Sequence, residues 1–569
     1  MAPLPVVHCG LLCQIRVGEQ RGEGYRRLMP GTREFKAEVI DNVADLLFFA
    51  KGDVNSPHAE EAYWANVRAE MGHPAPFELE YVGIGNENWG TEYFENFSAC
   101  MMGLRQYEYA GKQTDLIQKF GITVVTTAGV DIRPQDSSDN WKVINKNFRD
   151  TIVDEHVYNS YQWFIDNTKR YDCYDRTGAK VFMGEYAMHT MSDGRGRLNG
   201  ENNLRSAIAE AAFLTGCERN SDVVKMTCYA PLFASTANYK WTPNLIWFNP
   251  RDVMLTPNYF VQQMFAGNTG RYVLGGVSED NPDNAGGILV AAHATEAEVY
   301  EVRVKDIATG ELLYRHNFKD GMGDWKLYPR CIGGGIEGGA LRISAADAFN
   351  GYYLDGNYSN CEVEVDFRRI GGKQSFIVGV GVKDVEDRGT MDCNGFSVSC
   401  QYGKNHKGYD VSFDKRVDFM RTVCEMMGKD KFVGYSAEGN TLRLRYTQKK
   451  LSAEFLKDGQ WHFLFEKNVW RVNERVFRSA TFDGDKIWLK VVNASGEPQK
   501  LRAELKNFGK KKSAHVITLS DEDEFVINEI GTNYGAKHNI VPVESDVAIR
   551  DNVLDVSLDK NSVTVFVIE

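Results

Sequence analysis

The chain has 569 residues, 43% of them apolar and 25% charged, with a net charge of −12. That length suggests about three domains of an ordinary globular protein. The acidic surplus leaves little basic surface to neutralise phosphates, which argues against a nucleic-acid partner, and no run of about 20 apolar residues is present to cross a membrane.

From Leu4 to about Phe233, short apolar runs alternate with helical patterns, the signature of parallel βα units. The runs are Pro5 to Cys13, Tyr81 to Gly85, Ile122 to Ala128, Ile152 to Tyr158, Val181 to Gly184 and Val223 to Tyr229. They are continuously apolar, as strands covered on both faces are. Val39, Val43, Leu46, Leu47 and Ala50 form one helical stripe, and Leu204, Ile208, Ala211 and Leu214 another. The second stripe has Asn202 or Asn203 to cap its start and Gly216 just past its end. The strand count is six, where a closed (β/α) barrel needs eight.

After Trp247 the runs alternate and are broken by Gly, Asn and Asp, which reads as antiparallel sheet. Val299 to Val304, Leu341 to Ser344, Glu362 to Arg368, Phe376 to Val382, Leu442 to Tyr446, Ile487 to Val492 and Ser562 to Ile568 are the clearest strands. Greek-key or jelly-roll pairing would make two sandwiches of them. HNFKDGMGDWKLY, GALRIS and VEVDFRRIGG resemble concanavalin-like jelly rolls. Lys510 to Lys512 reads as a solvated turn. The eleven cysteines are scattered and odd in number, so buried free thiols are expected rather than disulfides or a zinc site. His8 and Cys9 lack a third ligand nearby, so no metal is expected.

Two strings carry the chemistry. YVGIGNENWG ends a strand at Glu87, and VFMGEYAMHT ends another at Glu185. A carboxylate at the end of a buried strand is costly unless used or paired. Two on parallel strands would converge on one crevice, as glycosidic bond cleavage by an acid/base and a nucleophile requires. Whichever of the two is the acid must be protonated near neutral pH, which calls for a pKa raised by burial or by the charge of the other carboxylate. Alternation along DEHVY places His156 and Tyr158 on one face and Glu155 on the other, so Glu155 reads as structural.

At these residues the chain resembles glycoside hydrolase family 51, the α-L-arabinofuranosidases. GNENWG is similar to the acid/base segment, which makes Glu87 the acid/base and Asn86 the ligand of the sugar 2-hydroxyl. FMGEYA is similar to the nucleophile segment, which makes Glu185 the nucleophile. DEHVY is similar to the strand-six motif, so His156 and Tyr158 should line the site, with Tyr158 holding Glu185. CYAPLF and WTPNLIWF are similar to the region after strand eight, where Trp241 and Asn244 should touch the sugar. Trp89 and Tyr186 are added as substrate-binding candidates, with Trp247 an alternative stacking residue. IWLKVVNAS, NIVPVES and SVTVFVI resemble the family's C-terminal β-sandwich.

The resemblance covers residues 1–270 and 481–569 and implies an incomplete (β/α)8 TIM-type barrel, strands three to eight. PLPVVHCGLLCQIR is similar to the third barrel strand, so the chain is expected to be N-terminally truncated, with any signal peptide upstream. The expected division is a partial barrel at 1–270, β-sandwich strands or linker at 271–315, an inserted jelly roll at 316–478 and a C-terminal β-sandwich at 479–569. Trp325 or Tyr352 would be the stacking residue of the jelly roll. The implied activity is retaining removal of terminal α-L-arabinofuranosyl residues from arabinose-containing polysaccharides, without a cofactor, and the resemblance leaves room for a homo-oligomer. The alternatives are an endo-β-1,4-glucanase of the same family and an inactive fragment acting as a carbohydrate-binding protein.

Overall fold

The computed structural model describes residues 13–15, 28–191, 198–199, 202–275, 285–329, 331–344, 349–383, 394–402, 409–417, 420–426, 438–447, 450–469 and 475–569. His8 and Cys9 lie outside them. Two compact units form: Met1–Phe164, Arg170–Val277 and Arg475–Glu569 in one, Ile165–Lys169 and Ser278–Glu474 in the other.

In the first unit six strands lie side by side in chain order: Cys13–Ile15, Tyr81–Ile84, Thr123–Thr127, Ile152–Asn159, Lys180–Met188 and Val224–Thr227. Every neighbouring pair is parallel. Parallel neighbours need a crossover between them, and helices supply most of it here. Val82, Val125, Val153, Val181 and Val224 are buried, which explains the continuous apolar runs. The first stripe forms a π-helical turn, Lys36–Asp41, leading into the helix Asn42–Lys51, with Val39, Val43, Leu47 and Ala50 buried. The second forms the helix Leu204–Arg219, capped by the Asn203 side chain, which accepts from the Ser206 N–H at 2.9 Å. This helix does not stop before Gly216. It is buried all round from Ser206 to Cys217, and that packing carries it past the glycine.

The C-terminal part of this unit is an antiparallel sheet of Tyr272–Val273, Val476–Asp483, Lys486–Asn493, Ser562–Ile568, Ser513–Ser520 and Val543–Ala548 in spatial order. The pair Gln499–Glu504 and Val553–Leu558 covers one of its faces, with Leu489, Val491, Leu554 and Phe566 in the core. Lys490, fully buried, pairs with Glu218 of the helix Leu204–Arg219, and Ser479 Oγ donates to the same carboxylate. Removing one partner strands a buried charge, so Glu218→Ala is expected to lower unfolding stability by about 3–5 kcal/mol. A urea-unfolding midpoint unchanged from the parent would contradict this. Lys511 is buried with its Nζ on the Asp485 carbonyl, so it is not part of a solvated turn.

Among the described residues the second unit forms a thirteen-stranded sheet. Its spine is the antiparallel pair Gly286–Asp306 and Cys361–Lys383, interrupted by bulges. The core holds Val290, Val302, Phe318, Val365, Phe376 and Leu444. The division expected at residue 316 is corrected. Tyr272–Val273 pairs with Val476–Asp483 of the C-terminal sheet, whereas Gly286–Asp306 belongs wholly to the second unit. Bulges shift the alternation along a 21-residue strand, which hides its membership from the sequence. Trp325 and Tyr352 lie in this unit's core at 4% and 5% exposure, so neither presents a stacking surface. Burial is known for seven of the cysteines. Four of them are buried, whereas Cys173 and Cys228 are exposed.

Candidate active site

Glu87 sits on a constrained turn. The strand Tyr81–Ile84 ends at Gly85, whose φ is 105° and where a Cβ would lie 2.8 Å from the Tyr93 ring. Tyr93 Oη donates to the Ile84 carbonyl at 2.7 Å and lies 2.8 Å from Thr126 Oγ1, tying the turn to the neighbouring strand. The Asn86 N–H donates to Asn88 Oδ1 at 2.9 Å. Glu87 itself has φ 55°, a left-handed conformation that costs a non-glycine residue about 1–2 kcal/mol. Such strain, held in place by its surroundings, is characteristic of functional positions.

The strand Ile152–Asn159 supplies the middle of the site. Asp154, His156 and Tyr158 share one face, as alternation requires. In the pairing with Lys180–Met188, Glu155 lies opposite Met183 and His156 opposite Glu185, so Gly184 is the extra residue of a bulge. His156 Nδ1 is 2.9 Å from Glu87 Oε1 and 3.7 Å from Glu185 Oε2. Its Nε2 is 3.0 Å from Asp154 Oδ2. Tyr158 Oη donates to Glu185 Oε2 at 2.8 Å. Glu87, His156 and Glu185 each bring one such atom within 4.8 Å of the other two, the only trio of this kind among the described residues. His156 is buried, while the two glutamate side chains keep 25% and 26% exposure, so they face an opening.

The electrostatics correct the expectation for Glu87. The hydrogen bond from His156 holds its carboxyl below the ordinary range, outweighing the burial that pushes it up. Burial works against the charged form of His156. The hydrogen bonds to Asp154 and Glu87 and the nearby Glu185 charge nevertheless raise it to about 10. Burial and the Glu185 charge push the Tyr158 phenol well up. The proton expected on an isolated Glu87 therefore belongs to the Glu87–His156 pair, and the two titrate together.

Of the other candidates, Trp89 is 56% exposed and Trp241 is 40% exposed. The Trp241 ring meets the Tyr158 ring edge-on at 5.2 Å between centroids. Asn86 is half-buried. Tyr186 is not at the opening: it is fully buried, donates to Gln262 Oε1 at 2.7 Å and packs against Phe213 and Tyr229. Adjacent residues of a strand point to opposite faces, so Tyr186 faces away wherever Glu185 faces in. Asn244 is buried too. Its amide donates to the Trp241 carbonyl and its N–H to Asn202 Oδ1, so it shapes the loop that carries Trp241. Trp247 is half-buried against Tyr239. Glu155 turns away as expected, accepting from Trp141, Tyr171, Tyr174 and Arg170.

Two residues at the site were not foreseen. Asp154 stands two before His156 on the same face, and the alternation that turned Glu155 away already pointed to it. His189, four after Glu185, is buried and stacks on Tyr158 at 6.0 Å and 10° between ring planes. Among the described residues neither of its ring nitrogens has a hydrogen-bond partner, and burial lowers its pKa.

The family model for the alpha-L-arabinofuranosidase C-terminal domain matches residues 184–562, and that for the alpha-L-arabinofuranosidase 1 domain matches residues 7–176. The extracellular exo-alpha-L-arabinofuranosidase of Streptomyces chartreusis is 36% identical over 61% of this chain and 39% of its own length. Alpha-L-arabinofuranosidase 2 of Arabidopsis thaliana is 32% identical over 42% of this chain and 30% of its own. The chain thus spans less than half the length of these curated relatives. An arabinose-bound GH51 α-L-arabinofuranosidase superposes with a TM-score of 0.51 at 18% identity, covering 98% of this chain and 54% of that one. The fold is accordingly of the TIM-barrel type with a C-terminal β domain. With its family match extending over most of its length, the chain belongs to the α-L-arabinofuranosidases of glycoside hydrolase family 51.

Proposed function

We propose that the protein removes terminal α-L-arabinofuranosyl residues from arabinose-containing polysaccharide with retention of configuration, Glu185 acting as nucleophile and Glu87 as acid/base. The observation that carries this is the convergence of the two carboxyls on His156, with an oxygen of each inside 4.8 Å. Retaining enzymes hold their carboxyls about 5–5.5 Å apart, whereas inverting ones need about 6.5–9.5 Å for an intervening water.

In the first step the Glu185 carboxylate attacks the anomeric carbon while the glycosidic oxygen takes the proton shared by Glu87 and His156. The C–O bond to the leaving group breaks and an ester to Glu185 forms. In the second step water attacks that carbon, gives its proton back to the Glu87–His156 pair and releases Glu185. Once esterified, Glu185 no longer carries the charge that helps hold a proton on His156, and the emptied pair is ready to act as base. Asn86 is assigned to the sugar 2-hydroxyl, and Trp89 and Trp241 to the exposed apolar walls of the opening.

Tyr158 steadies one oxygen of Glu185. A hydrogen bond to a charged group contributes about 1.5–3 kcal/mol, so Tyr158→Phe is expected to lower kcat/KM about 10- to 100-fold. An unchanged value would remove Tyr158 from the mechanism.

We read the six parallel strands as strands three to eight of the barrel. Glu87 follows the second of them and Glu185 lies within the fifth, three strands apart, which is the spacing of strands four and seven. The second unit is read as a jelly roll inserted between the barrel and the C-terminal sandwich. The test is hydrolysis of 4-nitrophenyl α-L-arabinofuranoside by this chain and by a form extended upstream with two further βα units. Turnover in the extended form alone supports both the activity and the missing strands. Turnover in both refutes the need for those strands, and turnover in neither, with both folded, refutes the activity.

A further inference from the structure

We propose that Asp154 is the positioning residue that joins the two catalytic carboxyls, orienting His156 towards Glu87 while bearing on the Gly184 backbone beside Glu185. The inference deepens the function proposed above and rests on it. Asp154 is buried, with Oδ2 at 3.0 Å from His156 Nε2. Burial pushes this carboxyl up, opposed first by the hydrogen bond with His156. A Cβ on residue 184 would lie 2.0 Å from Asp154 Oδ1, so the bulge that brings Glu185 level with His156 is built around this side chain.

The consequence is a fixed tautomer. A carboxylate only accepts, so an ionised Asp154 requires a proton on Nε2 of His156. Nδ1 and Glu87 Oε1, 2.9 Å apart, are then left with one proton between them. Either His156 is an imidazolium against a Glu87 carboxylate, or a neutral imidazole accepts from protonated Glu87. Both forms carry the proton that the leaving group needs, and loss of that single proton disarms the acid. Without Asp154 the ring can instead carry its one proton on Nδ1, pointing at an ionised Glu87 that has nothing to give.

The other titratable groups around the pair are known. Glu185 and Tyr158 lie on its open side, Tyr93 lies near Asp154, Cys228 and His189 lie near Tyr158, and Glu155 with Arg170 occupies the opposite face of the strand. None of them reaches Nε2 among the described hydrogen bonds of His156, so the tautomer is assigned to Asp154.

Asp154→Asn, made in whichever form of the protein hydrolyses 4-nitrophenyl α-L-arabinofuranoside, tests the assignment by leaving group. An arabinosyl leaving group needs full protonation, and general acids contribute about 10²- to 10⁴-fold to such steps. The expected result is a loss of about 10²-fold in kcat on α-1,5-arabinobiose. The 2,4-dinitrophenyl glycoside, which leaves unaided, should lose less than about threefold, and the alkaline limb of kcat/KM on the disaccharide should move to lower pH. Equal losses on both substrates, or an unmoved alkaline limb, would overturn the proposal. If Asp154→Asn does not fold, ¹⁵N-histidine spectra of the parent decide, with His156→Gln used for assignment. A protonated Nε2 between pH 6 and 8 is expected, and an unprotonated Nε2 would overturn it. Failure of the parent to hydrolyse any arabinoside would count against the proposed activity, leaving the imidazole spectrum to judge Asp154 separately.

Discussion

Replacing Glu185 with alanine is expected to reduce arabinoside hydrolysis by about 10⁴- to 10⁶-fold, the scale seen when a nucleophile that acts as part of a unit is removed. The loss should fall on kcat for every leaving group, because no glycosyl ester can form. Added azide supplies a small nucleophile where the carboxylate stood and should partly restore turnover, giving an arabinosyl azide of inverted configuration. The expectation is specific to Glu185. Its carboxylate is held by Tyr158 at 2.8 Å and faces the opening, whereas Glu155, on the opposite face of its neighbouring strand, is enclosed by two tyrosines, a tryptophan and an arginine. Glu155→Gln should therefore act on stability first. Measured kcat values near the parent's for Glu185→Ala would exclude it as nucleophile.

Glu87→Ala is expected to divide substrates by leaving group. With natural arabinosides kcat should fall about 10²- to 10⁴-fold, the usual contribution of a general acid. With a 2,4-dinitrophenyl arabinoside the first step needs no acid and should stay fast, so the glycosyl ester accumulates and a burst precedes slow turnover. Azide should now yield a product of retained configuration, the opposite of the Glu185→Ala outcome. The pH dependence follows from the shared proton. His156 is raised to about 10 and Glu87 is lowered, so the pair should hold its proton through neutral pH and lose it on the alkaline side. The same shifts affect folding. The raised His156 stabilises the fold fully below its ordinary value near 6.5 and loses that contribution as pH rises through about 10. The lowered Glu87 contributes above its ordinary value and loses that contribution in acid.

The two glutamates were legible because local sequence decides them. Glu87 follows an apolar strand and Glu185 interrupts one, and a buried strand has few reasons to carry a carboxylate. The parallel order of the strands was legible for the same reason. What escaped the sequence depended on contacts between distant segments. His156 lies 69 residues from Glu87, and no local pattern shows that its ring will sit on that carboxyl and reverse the direction of its pKa. Tyr186 adjoins Glu185 and Asn244 lies three residues from Trp241, but strand alternation turns Tyr186 inward and the Asn244 amide donates to the Trp241 carbonyl. Asp154 was available by the very alternation that set Glu155 aside. The boundary of the second unit was missed because the strand Gly286–Asp306 carries bulges that break its period.

A covalent arabinosyl ester is expected to form on Glu185 while Glu87 manages the proton. The most direct measurement is to mix Glu87→Gln with 2,4-dinitrophenyl α-L-arabinofuranoside, quench, digest and weigh the peptides. One arabinosyl unit is expected on the peptide containing Glu185. A burst of dinitrophenol with the sugar on a different residue, or product of inverted configuration with no adduct at all, would contradict it.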